Sequence, residues 1–432
     1  MRAALAGQSN FVTSSGSKLY LNGQPYYFSG ANAYWLMEKV KSDSGMVDRF
    51  FSSCNDNGLT VIRVWGFNHR MPYAPGQYDE DEFKGLDYIV DSAARHGIHL
   101  VIALGNMWAS YRSPEDFMSM AGVSPAGKTI LDFYADPAVR QVYRDHLTAV
   151  VSRVNTRNGL TYSQDPHIML WDVMNEPNCP GCTGPSDQAT FSSWLGEMAS
   201  HLKAAAPNQL VTLGMEGHFS TTGAQWNPGA WSKCQGQEPH SMAGLPGVDV
   251  LTTHIYADFD RLHKFSFTTG DCDFQCFLNF FSAYLRAQQS LATSVGKPLV
   301  LEEFNIALPL YSLEQRSLLF QMVYDNLLAQ KSSGGPMAGV MFWSAAIEDV
   351  WDDGFNVYLD VSSVREPIVA SSEGLDAFRR KQQWAACANA SARTWTAAWK
   401  APGATAVDMS SYAGKAAGKS VPTILQDVKS QL

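Results

Sequence analysis

Two glutamates in this sequence each close a short apolar run that has the composition of a buried β-strand. Glu176 follows the run 168–174, and Glu303 ends the run 298–303. Glycoside hydrolysis requires two carboxyl groups on opposite sides of an acetal, one to protonate the leaving oxygen and one to attack or stabilise the sugar. A single Glu at a strand end is more often a solvated or salt-bridged loop residue. Two in the same setting favour a catalytic pair.

Glu302 directly precedes Glu303 and competes with it for the second catalytic position. Because successive side chains of a strand alternate between its two faces, we expect only one of the two glutamates to point into the site. Spacing alone leaves both assignments open.

Other polar side chains stand at corresponding places in the neighbouring runs. They are Arg63, Asn175, His254 and Tyr256. In a parallel barrel the active site forms where the carboxyl ends of the strands meet, so these groups are predicted to converge with the glutamates on one mouth.

The elements that must position these groups are eight short apolar runs, which alternate with amphipathic helical stretches. The runs span residues 26–31, 60–65, 99–104, 168–174, 210–214, 248–254, 298–303 and 339–343. Such alternation is typical of parallel βαβ units, and eight of them predict an α/β fold, a single (β/α)8 TIM barrel with long βα loops. The alternative, an open doubly wound sheet, usually carries a Gly-rich phosphate loop after its first strand. This chain continues there with Asn32-Ala33-Tyr34-Trp35.

The ends of the chain are expected to lie outside this repeating pattern. Residues 19–25 are predicted to form a hairpin that closes the bottom of the barrel. We assign residues 1–400 to the catalytic barrel and residues 401–432, whose composition shifts to Ala, Gly, Ser and Lys, to a C-terminal surface tail.

Composition excludes several classes of partner. The formal net charge is −9 and no block of Lys or Arg could track a phosphate backbone, so no nucleic-acid partner is expected. No apolar run approaches the roughly 18 residues that span a bilayer. The 12 Trp suit a cleft whose aromatic faces contact sugar rings, although core packing explains any one of them equally well. No metal or cofactor is expected, and the protein is expected to be a monomer.

The seven cysteines bear on the compartment. Cys54 lies on the apolar face of a predicted helix and is expected to be a buried free thiol. Six remain, enough for up to three disulfides of undetermined connectivity, and zinc is the alternative for Cys179 and Cys182. The first eleven residues have too short an apolar stretch for a complete signal peptide, which leaves either a signal outside them or an intracellular protein. The disulfides favour a secreted, extracellular protein, and the sequon Asn389-Ala390-Ser391 is compatible with it.

Several ordered motifs, from about residue 11 to about residue 373, closely resemble the endo-β-1,4-mannanases of glycoside hydrolase family 5, especially the plant-like branch. The motifs include Ile62-Arg63-Val64-Trp65-Gly66-Phe67-Asn68, Trp171-Asp172-Val173-Met174-Asn175-Glu176-Pro177, Gly214-Met215-Glu216-Gly217, Thr253-His254-Ile255-Tyr256 and Phe342-Trp343. The resemblance implies a retaining hydrolase acting on β-mannan polysaccharide or manno-oligosaccharide.

The resemblance also implies a role for each matching residue. Glu176 corresponds to the acid/base, and Glu303, which precedes Phe, corresponds to the nucleophile. Glu302 corresponds to the neighbouring position, which holds an apolar or small residue in the family. The implied supporting residues are Asn175 on the sugar 2-hydroxyl, Arg63 and Tyr256 on Glu303, His254 on the acid/base, Trp343 beneath the reacting sugar, and Asn106 and Trp108 in the substrate cleft.

The chain departs from the family pattern in the loops that shape the substrate subsites. Asn305 replaces a common Gly, the loop 106–113 keeps Asn106, Trp108 and Tyr111 but lacks the usual Asp and glycines, and residues 257–260 differ from the usual Pro-Asp-x-Trp. A related β-glucanase or a mannan transglycosylase on the same barrel therefore remains an alternative. A non-catalytic carbohydrate-binding barrel is a third hypothesis, which the presence of both carboxylates disfavours.

Overall fold

The architecture is that of a (β/α)8 barrel in a computed structural model of the chain. The structure describes residues 10–221, 223–228, 230–256, 273–308, 311–347, 350, 354–359 and 409–432. Eight parallel strands form one sheet, in the spatial order Leu210–Thr212 (β8), Ile168–Asp172 (β7), His99–Ala103 (β6), Val61–Trp65 (β5), Phe28–Asn32 (β4), Met337–Phe342 (β11), Leu299–Asn305 (β10) and Leu251–Tyr256 (β9). The edge strands β8 and β9 approach each other through backbone hydrogen bonds, such as Asp249 N to Val211 O at 2.8 Å and His254 N to Glu216 O at 3.2 Å. The predicted fold class is confirmed.

All eight predicted runs form barrel strands, with ends that differ by up to three residues from the prediction. The barrel strands are β4 (Phe28–Asn32), β5 (Val61–Trp65), β6 (His99–Ala103), β7 (Ile168–Asp172), β8 (Leu210–Thr212), β9 (Leu251–Tyr256), β10 (Leu299–Asn305) and β11 (Met337–Phe342). The smaller strands are β1 (Thr13–Ser15), β2 (Lys18–Leu21), β3 (Gln24–Pro25), β12 (Ala345–Ala346) and β13 (Val357–Tyr358).

Helices surround the barrel and fill its connections. They are α1 (Leu36–Lys39), α2 (Ser44–Asp56), α3 (Glu80–Arg95), α4 (Pro114–Met120), α5 (Ile130–Ala135), α6 (Pro137–Val151), α7 (Pro185–Ala205), α8 (Pro239–Met242), α9 (Phe274–Val295), α10 (Leu313–Ser333), α11 (Met409–Ala416) and α12 (Val421–Lys429). Short 3-10 turns occupy Tyr162–Gln164, Ala224–Trp226 and Ala230–Gln235.

Local sequence explains why these helices begin and end where they do. At the start of α3 the Asp79 side chain accepts a hydrogen bond from Asp81 N, and acidic residues fill the first turn. Arg95 lies in the last turn, where its positive charge interacts favourably with the negative end of the helix dipole. Leu86 and Ile89 lie on the buried face. Gly97, with φ of 70°, ends the element.

The predicted hairpin at the bottom of the barrel is confirmed. Strand β2 pairs antiparallel with both β1 and β3. Leu19 packs with the barrel side chains Val61, Val101 and Val300 in one buried cluster. The hairpin therefore seals the amino-terminal end of the strands, opposite the predicted mouth.

The carboxyl-terminal segment differs from the predicted surface tail. Helix α12 packs against α10 and buries Ile424 and Leu425, while Lys429 Nζ donates to Asn55 O at 2.6 Å near the end of α2. Because α12 follows β11 and lies between the last and the first barrel helices, it occupies the place of the eighth helix. The apolar positions 421, 424, 425 and 428 have helical spacing, which the overall composition of the segment obscured.

Within the described ranges, no helix combines the length and the apolar character needed to cross a membrane.

Candidate active site

The polar residues predicted to converge do meet at the carboxyl ends of the strands. Arg63 lies on β5, His254 and Tyr256 on β9, Glu303 on β10, and Asn175 and Glu176 directly after β7. Each of them except Tyr256 is buried. The site is therefore a desolvated polar cluster in which charges interact more strongly than at the surface.

Arg63 lies at the centre of the cluster and is fully buried. Its guanidinium donates to Asp172 Oδ2 at 3.1 and 2.5 Å, to Glu303 Oε1 at 2.6 Å and to Asn175 Oδ1 at 2.9 Å. It also donates to Asn32 Oδ1 at 3.1 Å. The planar guanidinium therefore links β4, β7 and β10 and places a positive charge beside Glu303.

Glu303 receives two hydrogen bonds, from Arg63 Nη1 and from the Tyr256 hydroxyl at 2.7 Å. Burial raises the pKa of Glu303, and the charge of Glu176 adds to that rise. The charges of His254 and Arg63 and the bond from Tyr256 act in the opposite direction. The two donors fix the carboxylate orientation and favour its ionised form.

Glu176 has a different set of partners. His254 Nδ1 lies 2.7 Å from Glu176 Oε1, and Trp108 Nε1 donates to Glu176 Oε2. Burial raises the pKa of Glu176, but the bonds from His254 and Trp108 lower it below its usual value. Glu176 also has φ of 52°, a conformation that side-chain-bearing residues rarely adopt, and its N–H donates to Gly214 O at 2.8 Å.

The two glutamates are close enough to act on one bond. One carboxylate oxygen of Glu176, one of Glu303 and a ring nitrogen of His254 all lie within 4.8 Å of one another. Burial alone lowers the pKa of His254, but the charge of Glu303 and the contacts with Glu176 and Glu302 raise it well above its ordinary value. The three groups form a compact set that can exchange protons.

Asn175 and Asn106 form an oriented amide pair beside this set. Asn175 Nδ2 donates to Asn106 Oδ1 at 2.9 Å, and Asn106 Nδ2 donates to Ser110 O at 3.0 Å. Because Asn175 Oδ1 accepts from Arg63, the orientation of its amide is determined on both sides. The Asn175 amide, bonded to Arg63 and to Asn106, is therefore held in a fixed orientation at the mouth of the barrel.

An aromatic surface adjoins the carboxylates. Trp343 stacks on Tyr34 with ring centroids 4.9 Å apart and planes at 2°, and Trp65 lies 5.8 Å from Trp343. Tyr111 contacts Tyr34 edge-on at 6.2 Å. Flat apolar faces beside polar groups are suited to sugar rings. Of these residues only Trp343 was predicted as a site residue; the position of Tyr34, after the first strand, was the available signal.

Glu302 corrects the expectation that only one glutamate of the pair faces the site. The pairing register of β10 with β9 shifts between Leu301 and Glu303, which indicates a bulge. Glu302 Oε2 lies 3.1 Å from His254 Nε2, and Glu302 Oε1 lies 3.6 Å from Arg63 Nε. Both glutamates therefore reach the polar cluster, because the bulge interrupts the alternation of faces.

Two further buried carboxyl groups were not predicted as site residues. Burial, opposed by Arg63 and aided by the charge of Glu302, raises the pKa of Asp172 to about 8. Burial, together with the charge of Glu176, raises the pKa of Glu216 well above its usual value. Both follow the strand-end pattern that identified Glu176, so the signal was present in the sequence.

The loop after Glu176 carries a disulfide between Cys179 and Cys182. A zinc site was the alternative prediction for these two cysteines. Cys276 is also disulfide-bonded, and Cys54 is a buried free thiol as predicted. Cys272, Cys387 and the sequon at residue 389 lie outside the described residues.

Comparison with known proteins adds evidence independent of this geometry. The family model described as "GH family 5 beta-mannosidase-like" matches residues 9–351. Mannan endo-1,4-beta-mannosidase 7 of Arabidopsis thaliana is 33% identical, over 82% of each chain. Mannan endo-1,4-beta-mannosidase 1 of Oryza sativa subsp. japonica is 32% identical, over 82% of this chain and 83% of the relative. The hyperthermostable endo-1,4-beta-D-mannanase from Thermotoga petrophila RKU-1 superimposes with a TM-score of 0.66 at 25% identity, over 78% of this chain and 96% of that one.

Proposed function

Because the chain belongs to glycoside hydrolase family 5, we propose that it is a secreted endo-β-1,4-mannanase that hydrolyses mannan, glucomannan or galactomannan with retention of anomeric configuration. The observation that carries the mechanism is the pairing of Glu176 and Glu303, whose oxygens approach within 4.8 Å. Retaining enzymes place their carboxyl groups about 5 to 5.5 Å apart, whereas inverting enzymes leave about 6.5 to 9.5 Å for a water molecule. The short separation supports direct attack by one carboxylate.

In the first step Glu303 attacks the anomeric carbon while Glu176 protonates the departing oxygen. Arg63 and Tyr256 hold Glu303 with one oxygen each, so the carboxylate is oriented before the substrate arrives. The product of this step is a covalent glycosyl-enzyme. In the second step Glu176, now ionised, removes a proton from water, which displaces Glu303 from the sugar.

The reaction needs Glu176 protonated and Glu303 ionised when the substrate is bound. The bonds from Arg63 and Tyr256 favour ionised Glu303, and positive charge that develops on the anomeric carbon favours it further. His254 Nδ1 lies 2.7 Å from Glu176 and 3.6 Å from Glu303, so it can exchange a proton with Glu176.

Mannan as the substrate rests on the relatives, which are named mannan endo-1,4-beta-mannosidases. The stacked faces of Tyr34 and Trp343 and the amides of Asn175 and Asn106 provide the apolar and polar contacts that a sugar chain needs. Trp108 lies on the acid/base side, where the leaving portion of the chain would be bound. Secretion is supported by the disulfide between Cys179 and Cys182.

Release of reducing ends from a panel of polysaccharides tests this function. We expect β-mannan, glucomannan or galactomannan to be cleaved much faster than carboxymethyl cellulose or xylan, with oligosaccharides of several lengths appearing early. A preference for cellulose would contradict the proposed substrate. Products longer than a supplied manno-oligosaccharide would instead assign the transglycosylase alternative.

A further inference from the structure

Glu302 is a fully buried carboxylate to which the double-displacement mechanism gives no task. Its Oε2 lies 3.1 Å from His254 Nε2, and among the described residues its Oε1 has no hydrogen-bond partner. The Arg63 Nε is 3.6 Å from Oε1, at ion-pair distance. The bond to His254 is therefore the single hydrogen bond that the Glu302 side chain makes within the described part of the chain.

The two nitrogens of His254 consequently have different partners. Nε2 faces Glu302, whereas Nδ1 faces Glu176 at 2.7 Å and Glu303 at 3.6 Å. Glu176 has a second donor in Trp108 and Glu303 has donors in Arg63 and Tyr256. Among the residues that the structure describes, Glu302 has no second hydrogen-bond donor, and a buried carboxylate without a hydrogen bond is costly. Removing the Nε2 proton is therefore less favourable than removing the Nδ1 proton.

We propose that Glu302 is a positioning residue that retains the proton on Nε2 of His254, so that Nδ1 alone exchanges a proton with Glu176. The inference rests on the proposed retaining function and deepens it. Glu302 acts through His254 and touches neither the substrate nor the reacting atoms.

The transfer is balanced. His254 begins as the imidazolium, and its Nδ1–H bond breaks as a Glu176 O–H bond forms, leaving the electron pair on Nδ1. One proton has moved from His254 to Glu176, His254 is neutral with its remaining proton on Nε2, and the Nε2–H bond to Glu302 has stayed intact.

Charged and titratable groups from several elements surround His254. From β10 come Glu302 and Glu303, and Glu176 follows β7; Asp172 and Glu216 influence the same site, and Arg63 on β5 supplies the balancing positive charge. Glu82 serves as the control, because it is a buried glutamate of α3 whose partners, Lys41 and Asn68, are not among the groups around His254.

The direct test is the tautomer of His254, read from long-range 1H–15N spectra of protein labelled with 15N-histidine. The chain has 10 His, and the H254N variant identifies the resonance by its loss. We expect neutral His254 in the wild-type protein to carry its proton on Nε2. In E302Q the amide is uncharged, so the neutral ring should carry its proton on Nδ1, bonded to Glu176. A Nδ1–H tautomer in the wild type, or an unchanged tautomer in E302Q, would overturn the proposal.

A kinetic test uses the pH profile of kcat/KM. Loss of the Glu302 charge weakens the hold of the His254–Glu176 unit on its proton, so E302Q should move the alkaline limb down by about one pH unit, within the range that a neighbouring charge produces. E82Q, the matched control, removes a buried carboxylate outside the site and should leave that limb in place. An alkaline limb in E302Q that coincides with the wild type would contradict a role through His254. The tautomer measurement needs no substrate, so failure of the proposed mannanase activity would be distinguishable from failure of this inference.

Discussion

Trp108 donates its indole N–H to Oε2 of Glu176, while His254 contacts the other oxygen of the same carboxylate. Trp108 lies in the loop after β6 and His254 lies on β9, so the carboxylate proposed as the acid/base is held from two sides. Both stabilise the ionised form of Glu176, the form that must accept a proton from water in the second step.

The W108F variant should move the alkaline limb of kcat/KM to higher pH. The indole bond lowers the pKa of Glu176, so its removal raises that pKa and Glu176 stays protonated further up the pH scale. A hydrogen bond to a charged group contributes about 1.5 kcal/mol or more, which corresponds to about one pH unit. W194F is the control, since Trp194 Nε1 has no partner among the described residues and its ring packs on Tyr134 and Tyr143, outside the site. A shift of W108F to lower pH would contradict the assignment of Glu176 as the acid.

The two glutamates proposed as catalytic should respond differently to substitution. E303A should abolish turnover on every substrate, because no nucleophile remains. E176A should lower the rate of mannan hydrolysis by about 10²- to 10⁴-fold. The rate of glycosyl-enzyme formation should fall far less with aryl mannosides, whose leaving groups need little protonation. Burst kinetics on such an aryl substrate measures that step, with thermal unfolding as the check on folding. If E303A kept activity on the aryl substrate and E176A lost it, the two roles would be reversed.

Substitution of Leu425 tests whether α12 is part of the barrel. Leu425 is 1% exposed, and its truncation to Ala should lower the free energy of unfolding by about 2 to 5 kcal/mol. The exposed residue Ser430 at the end of the same helix supplies the control S430A, which should change stability by no more than about 0.5 kcal/mol. Denaturant unfolding measures both. Equal stability of L425A and the wild type would indicate a detached tail.

Cys54 should react with a thiol reagent only after unfolding. It is fully buried, and burial raises the pKa of its thiol, so neither the side chain nor its thiolate is accessible in the native protein. Alkylation before and after denaturation without reductant, followed by peptide mapping, locates the label. The peptide with Cys179 and Cys182 should remain unlabelled in both samples. Six or seven labelled cysteines after denaturation would contradict both the disulfides and secretion.

Sequence reasoning predicted the barrel because each strand and helix carries its own periodic signal. It located Arg63, Glu176, His254 and Glu303 because parallel strands bring their carboxyl ends together. It could not predict the orientation of Glu302. Alternation of faces is a property of regular strands, and the register shift in β10 depends on pairing with β9, which is a tertiary feature.

The carboxyl-terminal helix was missed for a different reason. Its apolar spacing at 421, 424, 425 and 428 is clear, but only nine residues are helical and the surrounding composition is that of a tail. Short amphipathic helices are stabilised mainly by what they pack against, and here that surface is provided by α10 and α2.

The anomeric form of the first product tests the central claim most directly. If Glu303 forms a covalent intermediate that water then displaces, each cleavage inverts the anomeric centre twice. Proton NMR of a manno-oligosaccharide digest, recorded before mutarotation equilibrates the products, should therefore show the β-anomer first, with the α-anomer growing in later. Prompt appearance of the α-anomer would contradict the nucleophilic role of Glu303, whatever the variants show.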